Sequence, residues 1–212
     1  TAMRFLTAFF AIQERKDLSN LAEVVLTGSE RMKERPIKIL VDALNQLGAE
    51  ISYEENEGFP PLRIKGKKLT ESKVSLPANV SSQYISALLL IAPKLENGIE
   101  LTLEGEITSI PYIKMTLALL NEIGVETSFI NNRIEIKPVE NLNISKHYVE
   151  SDWSSLSYFF SVVALSKSSE INIGTYFKNS EKSSRQYRPS AYCIGPMRYV
   201  LVLFSTFIIF YS

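Results

Sequence analysis

The stretch VSSQYISALLLIA, residues 80–92, decides how the rest of the chain is interpreted. Polar side chains open this stretch, and an apolar, helix-compatible body follows. The same succession starts at residue 1 with TAMRFLTAFFA and at residue 153 with WSSLSYFFSVVAL. The spacing is about 75 residues, and a fixed period of this kind is typical of a repeated structural unit. We therefore expect the chain to consist of copies of one fold element.

The segments between these helices repeat as well. In each copy the sequence pattern predicts a strand, then a helix, and then two strands around a turn. In the first copy these segments are AEVVLTG (22–28), MKERPIKILVDALNQLG (32–48) and AEISYEENEGFPPLRIKG (49–66). In the second copy they are GIELTLEG (98–105), SIPYIKMTLALLNEIG (109–124) and VETSFINNRIEIKP (125–138). KVSLPA (73–78) supplies the strand before the second copy's first helix, and YVES (148–151) supplies that of the third.

Matched turn residues support a common geometry for the copies. Gly48 and Gly124 follow the second helix of each copy, where a left-handed residue ends a helix. Pro36 and Pro111 lie near the start of those helices, where a missing N–H costs nothing. Asn131 and its neighbour Asn132 suit the positive φ of a tight turn. The sequence thus predicts an α/β (α+β) protein of repeated βαβαββ units, in which the first copy lacks its leading strand.

The helices carry apolar stripes that predict where the core lies. Ile37, Leu40, Val41 and Leu44 follow the i, i+3, i+4, i+7 spacing of a helix face. A looser stripe consists of Met115, Leu117, Leu119 and Leu120. We expect both stripes to be buried against the sheets.

Composition limits the kinds of partner. The chain is 45% apolar, and its 23 Lys and Arg residues equal its 23 Asp and Glu residues. The balanced charges produce no overall electrostatic attraction for nucleic acid or an anionic membrane, so we expect small ligands.

The apolar end YVLVLFSTFIIFYS (199–212) is shorter than the roughly 20 residues that span a bilayer. Cys193 has no internal disulfide partner, and His147 lacks a catalytic motif, so we expect a reducing compartment, no metal and a structural His147.

Cations cluster in the segment LTGSERMKERPIKIL (26–40), where a helix is expected to open. Arg31, Lys33 and Arg35 are unfavourable near a helix N-terminus unless an anion or carboxylates compensate them. One interpretation is a solvated charged loop with Glu30 capping the helix. The other is that Arg31 clamps a carboxylate or phosphate by its planar fork. Arg4, within the apolar stretch after Thr1, must likewise snorkel, pair internally or bind a ligand.

The polar start of the stretch at residues 80–92 has two interpretations of its own. Ser81, Ser82 and Gln83 supply more donors than one helix cap requires. Hydroxyls together with free backbone N–H groups suit phosphate, and Ser109 could add another hydroxyl from a neighbouring helix. Ser-rich helix starts also occur in proteins that bind nothing, so the residues alone leave both interpretations open.

These motifs resemble the 5-enolpyruvylshikimate-3-phosphate synthase family, also called 3-phosphoshikimate 1-carboxyvinyltransferase. The similar blocks run from Thr1 to about Asn179 in the family's order. They are TAMR (1–4), LTGSERMKERPI (26–37), LVDAL (40–44), LPANVSSQYISALLL (76–90), PYIKMTLALL (111–120) and DWSSLSYFF (152–160). The resemblance implies two domains of three βαβαββ units, with substrates bound between them.

The resemblance also implies an activity. It is transfer of the enolpyruvyl group of phosphoenolpyruvate to the 5-hydroxyl of shikimate 3-phosphate, with release of phosphate and without a cofactor. Ser81, Ser82, Gln83, Ser109 and Tyr112 would bind shikimate 3-phosphate. Arg31, Gln83 and Thr1 would bind phosphoenolpyruvate, and Arg4 would be a structural neighbour of the loop before Thr1. A cytoplasmic, monomeric full-length enzyme is implied.

The sequence also departs from the family's pattern. We expect residues 1–149 to form an incomplete first substrate domain of about two units, and 150–180 to start the next unit or second domain. Residues 181–212 are expected to be a tail outside the family, produced by a frameshift or spurious translation. The family's acid/base carboxylates find no match here, so catalytic residues stay unassigned and the fragment alone is expected to be inactive. The alternatives are UDP-N-acetylglucosamine enolpyruvyl transferase, which shares fold and donor, and a noncatalytic fold fragment.

Overall fold

The computed structural model describes residues 2–14, 23–108, 110–140 and 153–166, together with the backbone of 202–204 and 207–209. Its contacts divide the chain into two units, Thr1–Ile144 and Ser145–Ser212. The predicted division of the chain at residues 149 and 150, and the tail expected from residue 181, stay predictions. The strand expected at 148–151 lies outside the described residues.

The first unit contains two successive sets of helices and strands. The first set comprises α1 (Ala2–Ala11), β1 (Glu23–Leu26), α2 (Glu30–Lys33), α3 (Lys38–Gln46), β2 (Glu50–Tyr53) and β3 (Leu62–Lys65). The second set comprises β4 (Lys73–Pro77), α4 (Ser82–Ile91) with a 3-10 turn (Ala92–Lys94), β5 (Ile99–Glu104), α5 (Ile110–Glu122), β6 (Thr127–Ile130) and β7 (Arg133–Ile136). In the second unit, the structure describes α6 (Trp153–Leu165) and an antiparallel pair of strands, β8 (Val202–Phe204) and β9 (Phe207–Ile209).

The sheets confirm the predicted repeat. The second set forms one sheet of order β4-β5-β7-β6, in which β4 and β5 are parallel and the other pairs are antiparallel. This is the predicted βαβαββ unit, because the helix α4 makes the crossover that a parallel strand pair requires. The first set forms an antiparallel sheet of order β1-β3-β2, the same order as β5-β7-β6.

The helix predicted at 32–48 is interrupted, which corrects the sequence analysis. The short helix α2 ends at Lys33, and α3 begins only at Lys38. Pro36 therefore lies between two helices, whereas Pro111 is the second residue of α5. Proline cannot continue a helix from the preceding turn, and it disfavours helical backbone at the residue before it. The Ile37 N–H instead donates to the Gly58 carbonyl at 2.8 Å, which fixes the start of α3 against the loop between β2 and β3.

The predicted turn residues are largely confirmed. Gly48 and Gly124 have φ values of +95° and +90° after α3 and α5. Asn131 takes a positive φ of 54° between β6 and β7, but Asn132 does not. The Asn132 side chain instead donates to the carbonyls of Leu103 and Gly105, at 2.9 and 2.6 Å. Its amide therefore ties the β6–β7 turn to the end of β5.

The helix α4 is the centre of the core. It packs against α1, α3 and α5, and it buries residues 84–89 and Ile91. A helix that is apolar around most of its circumference can bury its apolar surface only when other elements enclose it. The α3 stripe is buried as predicted. On α5 the prediction was partly wrong, because Met115 and Leu119 are only half-buried. The buried residues of α5 are Ile113, Thr116, Leu117 and Leu120.

Candidate functional site

The polar residues of the stretch at 80–92 lie at the start of α4. Ser81 is the N-cap, and its hydroxyl oxygen accepts the Gln83 backbone N–H at 3.4 Å. Ser82 is the first residue of the helix, and all three residues are half-buried. Within the described part of the chain, the Ser82 hydroxyl makes no hydrogen bond. One serine is thus enough to cap α4, and the Ser82 hydroxyl remains for another partner.

Arg4 of α1 reaches the same helix start. Its guanidinium donates to the Gln83 side-chain oxygen, and one of its nitrogens lies 3.3 Å from the Ser81 hydroxyl oxygen. The guanidinium carbon lies 4.5 Å from the centre of the Tyr84 ring, within the range of a cation–π contact. Among the described residues, Arg4 has no carboxylate partner, so the internal ion pair considered from the sequence is not observed. Arg4, Ser81, Gln83 and Tyr84 are called the helix-start cluster below.

Tyr84 anchors this cluster to the segment between α2 and α3. Its ring is buried, and its hydroxyl donates to the Pro36 carbonyl at 2.6 Å. A shallow pocket lies alongside. It is lined by Met3, Arg4, Met32, Arg35, Pro36, Ile37 and Pro60. The start of α4 and the cation-rich segment are therefore held against each other by a direct hydrogen bond.

The cations of that segment differ in their partners. Lys33 lies 3.4 Å from the Glu30 carboxylate and 3.7 Å from that of Glu55. Glu30 thus compensates Lys33 rather than capping the helix, and the N-cap Ser29 makes no side-chain cap bond. Arg31 is exposed on α2 and has no carboxylate partner among the described residues. Its guanidinium is therefore available to a ligand, but an exposed side chain also fits the solvated loop, so both interpretations of Arg31 stay open.

The remaining predicted residues are placed only in part. Tyr112 is 46% exposed on the first turn of α5, while Thr1 and Ser109 lie outside the described residues. The Tyr112 carbonyl accepts the Thr116 hydroxyl at 3.0 Å, and Thr116 also contacts the Ser86 hydroxyl at 3.0 Å. This buried bridge joins α4 to α5. No hydrogen bond among the described residues joins the side chains of Arg31 or Tyr112 to the helix-start cluster.

The groups of the cluster are of the kind that can bind an oxyanion. The positive end of the macrodipole lies at the start of α4, and Arg4, which has no carboxylate partner among the described residues, adds a positive charge beside it. Sequence analysis missed the roles of Arg4 and Tyr84. The apolar surroundings of Arg4 signalled an unusual position, but no local pattern identifies partners 77 and 79 residues away. In the described ranges, no group of His, Cys, Asp and Glu side chains could hold a metal ion. None of the helices described there is long and apolar enough to cross a bilayer.

The fold and the site define a protein of repeated βαβαββ units in which Ser81, Ser82, Gln83 and Arg4 lie together at the start of α4. A family model described as EPSP synthase (3-phosphoshikimate 1-carboxyvinyltransferase) matches residues 1–187, and the chain belongs to this family. The match extends past residue 181, where the sequence analysis placed the beginning of the tail.

Curated relatives agree with this family. The 3-phosphoshikimate 1-carboxyvinyltransferase of Bacteroides fragilis is 48% identical over 181 residues, which are 85% of this chain and 42% of that protein. The enzyme of the same name from Haemophilus influenzae is 40% identical over 189 residues, which are 88% of this chain and 42% of that protein. The chain therefore spans less than half the length of these relatives. Their names do not favour the UDP-N-acetylglucosamine alternative.

A solved structure supports the fold. The EPSP synthase of Acinetobacter baumannii superposes with a TM-score of 0.60 and 24% identity, over 78% of this chain and 35% of that chain. At this identity the likeness concerns the fold alone.

Proposed function

We propose that the chain takes part in transfer of the enolpyruvyl group of phosphoenolpyruvate to the 5-hydroxyl of shikimate 3-phosphate, with release of phosphate. The observation that carries this proposal is the helix-start cluster, in which the Arg4 guanidinium, without a carboxylate partner among the described residues, donates to Ser81 and Gln83 at the start of α4. The names of the curated relatives support the choice of reaction. No cofactor or metal enters the proposal.

The phosphate of shikimate 3-phosphate would lie at the start of α4. The Ser81 hydroxyl, the Ser82 hydroxyl and the Gln83 amide would donate to its oxygens. Hydrogen bonds of this kind to an anion are roughly twice as strong as neutral ones, because the acceptor is charged. Ser109 would add a further hydroxyl, and Tyr112, exposed on the first turn of α5, would lie beside the ring of the same substrate.

Phosphoenolpyruvate would be held by a second group of residues. Arg31 would bind it through its exposed guanidinium, which has no carboxylate partner among the described residues, and Gln83 and Thr1 would complete the contacts. The Tyr84 hydrogen bond to Pro36 supports this arrangement, because it fixes the segment that follows Arg31 against the start of α4. Holding both substrates side by side lowers the barrier for a reaction between them. These roles are binding roles, and the proton-transfer residues stay unassigned.

We further propose a cytoplasmic, monomeric full-length enzyme that acts on small anions. The balance of 23 basic and 23 acidic residues supports small ligands rather than nucleic acid or membranes, since attraction for an anion must arise locally.

Calorimetric titration of the purified chain with shikimate 3-phosphate tests the proposal. We expect binding by the unaltered chain, and its loss in a Ser81→Ala, Ser82→Ala double variant. UDP-N-acetylglucosamine serves as the competing substrate, and a Lys73→Met variant, altered at the start of β4, serves as the control for a charge far from the site. A folded chain that binds neither shikimate 3-phosphate nor UDP-N-acetylglucosamine, or that prefers the latter, would overturn the proposal. The first of these outcomes would favour the noncatalytic fragment.

A further inference from the structure

The amide of Gln83 has a defined orientation. Its oxygen accepts a hydrogen bond from the Arg4 guanidinium, which carries donors only. The NH2 group is therefore the end of the amide that remains for a ligand. Without Arg4 the amide could rotate by half a turn and present oxygen instead, at little cost.

The Ser81 hydroxyl is restricted in the same way. Its oxygen accepts the Gln83 backbone N–H at 3.4 Å, and the Arg4 guanidinium nitrogen lies at 3.3 Å. A hydroxyl has two lone pairs and one proton. Because both acceptor positions face donors of the protein, the proton is what Ser81 offers to a ligand.

We propose that Arg4 is a positioning residue that orients the Ser81 hydroxyl and the Gln83 amide, so that both present donors to an oxyanion at the start of α4. The inference rests on the proposed function of this site and specifies its ligand class. A fully deprotonated phosphate ester satisfies every donor.

Arg4 is itself held in place, which makes this role physically possible. Its guanidinium stacks on Tyr84, and Tyr84 is fixed by burial and by its hydrogen bond to the Pro36 carbonyl. No carboxylate of the described residues neutralises it. Both hydrogen bonds come from one terminal nitrogen of Arg4, and that nitrogen is held in place because the planar guanidinium stacks on the Tyr84 ring. A lysine ammonium is a point charge on a flexible stem and lacks this planar stacking surface. Orientation of Ser81 and Gln83 thus depends on arginine rather than on positive charge alone.

Titration of the chain with shikimate 3-phosphate, in a double-mutant cycle, tests the proposal. We expect Arg4→Met to weaken binding roughly tenfold or more, as expected for loss of a charged hydrogen-bond partner. In the Arg4→Met, Gln83→Met double variant the loss should be well below the product of the single losses, because Arg4 acts through Gln83. Arg4→Lys should recover only part of the affinity. Lys73→Met, which removes one charge at the far end of β4, should bind as the unaltered chain does.

The side-chain amide signals of Gln83 in the 15N–1H NMR spectrum separate positioning from a general structural effect. Without ligand, they should shift in Arg4→Met and stay in place in Lys73→Met. Arg4→Lys serves as the second variant if Arg4→Met fails to fold. Full affinity in Arg4→Lys, multiplicative losses in the cycle, or unmoved Gln83 signals would each overturn the proposal. If the folded, unaltered chain does not bind shikimate 3-phosphate, the proposed function fails for this chain, and the Gln83 signals alone decide the role of Arg4.

Discussion

The sheets of the two repeats in the first unit have the same strand order, but the first helices of the two repeats begin with different side chains. β1-β3-β2 and β5-β7-β6 have the same order and the same antiparallel pairing. The corresponding helices α1 and α4 pack against each other, yet α1 carries a cation in its first turn and α4 carries hydroxyls and an amide. The difference shows that the repeat preserves the scaffold, while its two helix starts contribute different side chains to the helix-start cluster.

Even an exposed ion pair network is repeated. Arg63 on β3 contacts the carboxylates of Glu23 and Glu54. Arg133 on β7, the equivalent central strand, lies 2.8 Å from Glu100 and 2.9 Å from Glu135. Each arginine bridges to the strand that precedes the second helix of its repeat. This bridge is therefore common to the two sheets, whereas the second partner differs, because Glu54 follows β2 and Glu135 lies on β7 itself.

The largest expected effect concerns the depth of packing in α4 compared with α1. Leu88 on α4 is fully buried, whereas Leu6 on α1 is 40% exposed. We expect Leu88→Ala to lower the free energy of unfolding by about 3 kcal/mol, because it loses burial and leaves a cavity. Leu6→Ala should cost less than about 1 kcal/mol. Urea unfolding of both variants measures this difference, and equal costs would contradict the central position of α4.

Equivalent glycines offer a direct test of the repeat. Gly48 and Gly124 take φ values of +95° and +90° after α3 and α5. An alanine at either position would be strained by about 1–2 kcal/mol, because its Cβ disfavours left-handed backbone. We expect Gly48→Ala and Gly124→Ala to lower the free energy of unfolding by similar amounts in a thermal melt. A large cost at one position and none at the other would show that the two helix ends are not equivalent.

Buried hydroxyls should separate the two helix pairs. Thr116 on α5 contacts Ser86 of α4, whereas the buried Thr7 on α1 donates only to the Met3 carbonyl of its own helix. Thr116→Val should cost about 1 kcal/mol, because it leaves Ser86 without its interhelical partner. Thr7→Val should be close to neutral, since the Met3 carbonyl keeps its helical role. Chemical denaturation distinguishes them, and a costlier Thr7→Val would reverse our assignment of the interhelical bond.

The smallest effect is a pH dependence of the first sheet. The hydrogen bond from Arg63 lowers the pKa of the Glu54 carboxyl in the folded state. This contribution to stability is present above the carboxyl's ordinary pKa of about 4.3, and it is lost as the pH falls through the lower folded-state value. When the pH is lowered from neutral to below about 4, the free energy of unfolding should therefore fall less in Glu54→Gln than in the unaltered chain. The difference should shrink in high salt, which screens exposed pairs; identical acid profiles in low salt would exclude the contribution.

Much of the fold follows from local sequence patterns. Apolar periodicity located α3 and α4, Gly48 and Gly124 marked helix ends, and the repeated order of segments predicted the βαβαββ unit. The break around Pro36 was missed, because the apolar stripe from Ile37 onward was extended through the charged residues before it. Proline and the loop contact of Ile37 decide that boundary, and only the proline is visible in the sequence.

The candidate site was less predictable than the fold. The donors at the start of α4 form a contiguous motif, so Ser81, Ser82 and Gln83 stand out. Arg4 reaches them only after α1 packs on α4, and a contact across two repeats leaves no local trace in the chain. Tyr84 looked like part of an apolar helix body, yet its hydroxyl fixes the segment that follows Arg31. Such cross-repeat contacts require tertiary structure to be seen.

The central claim is that the helix starts of the two repeats together form an oxyanion site. The most direct test is an amide chemical-shift map of the 15N-labelled chain titrated with shikimate 3-phosphate. We expect the largest shifts at the backbone amides of Ser81, Ser82 and Gln83 and at the Arg4 side chain, with the sheet β4–β7 unaffected. Shifts confined to other surfaces, or the same shifts after Ser81 and Ser82 are both replaced by alanine, would contradict the claim.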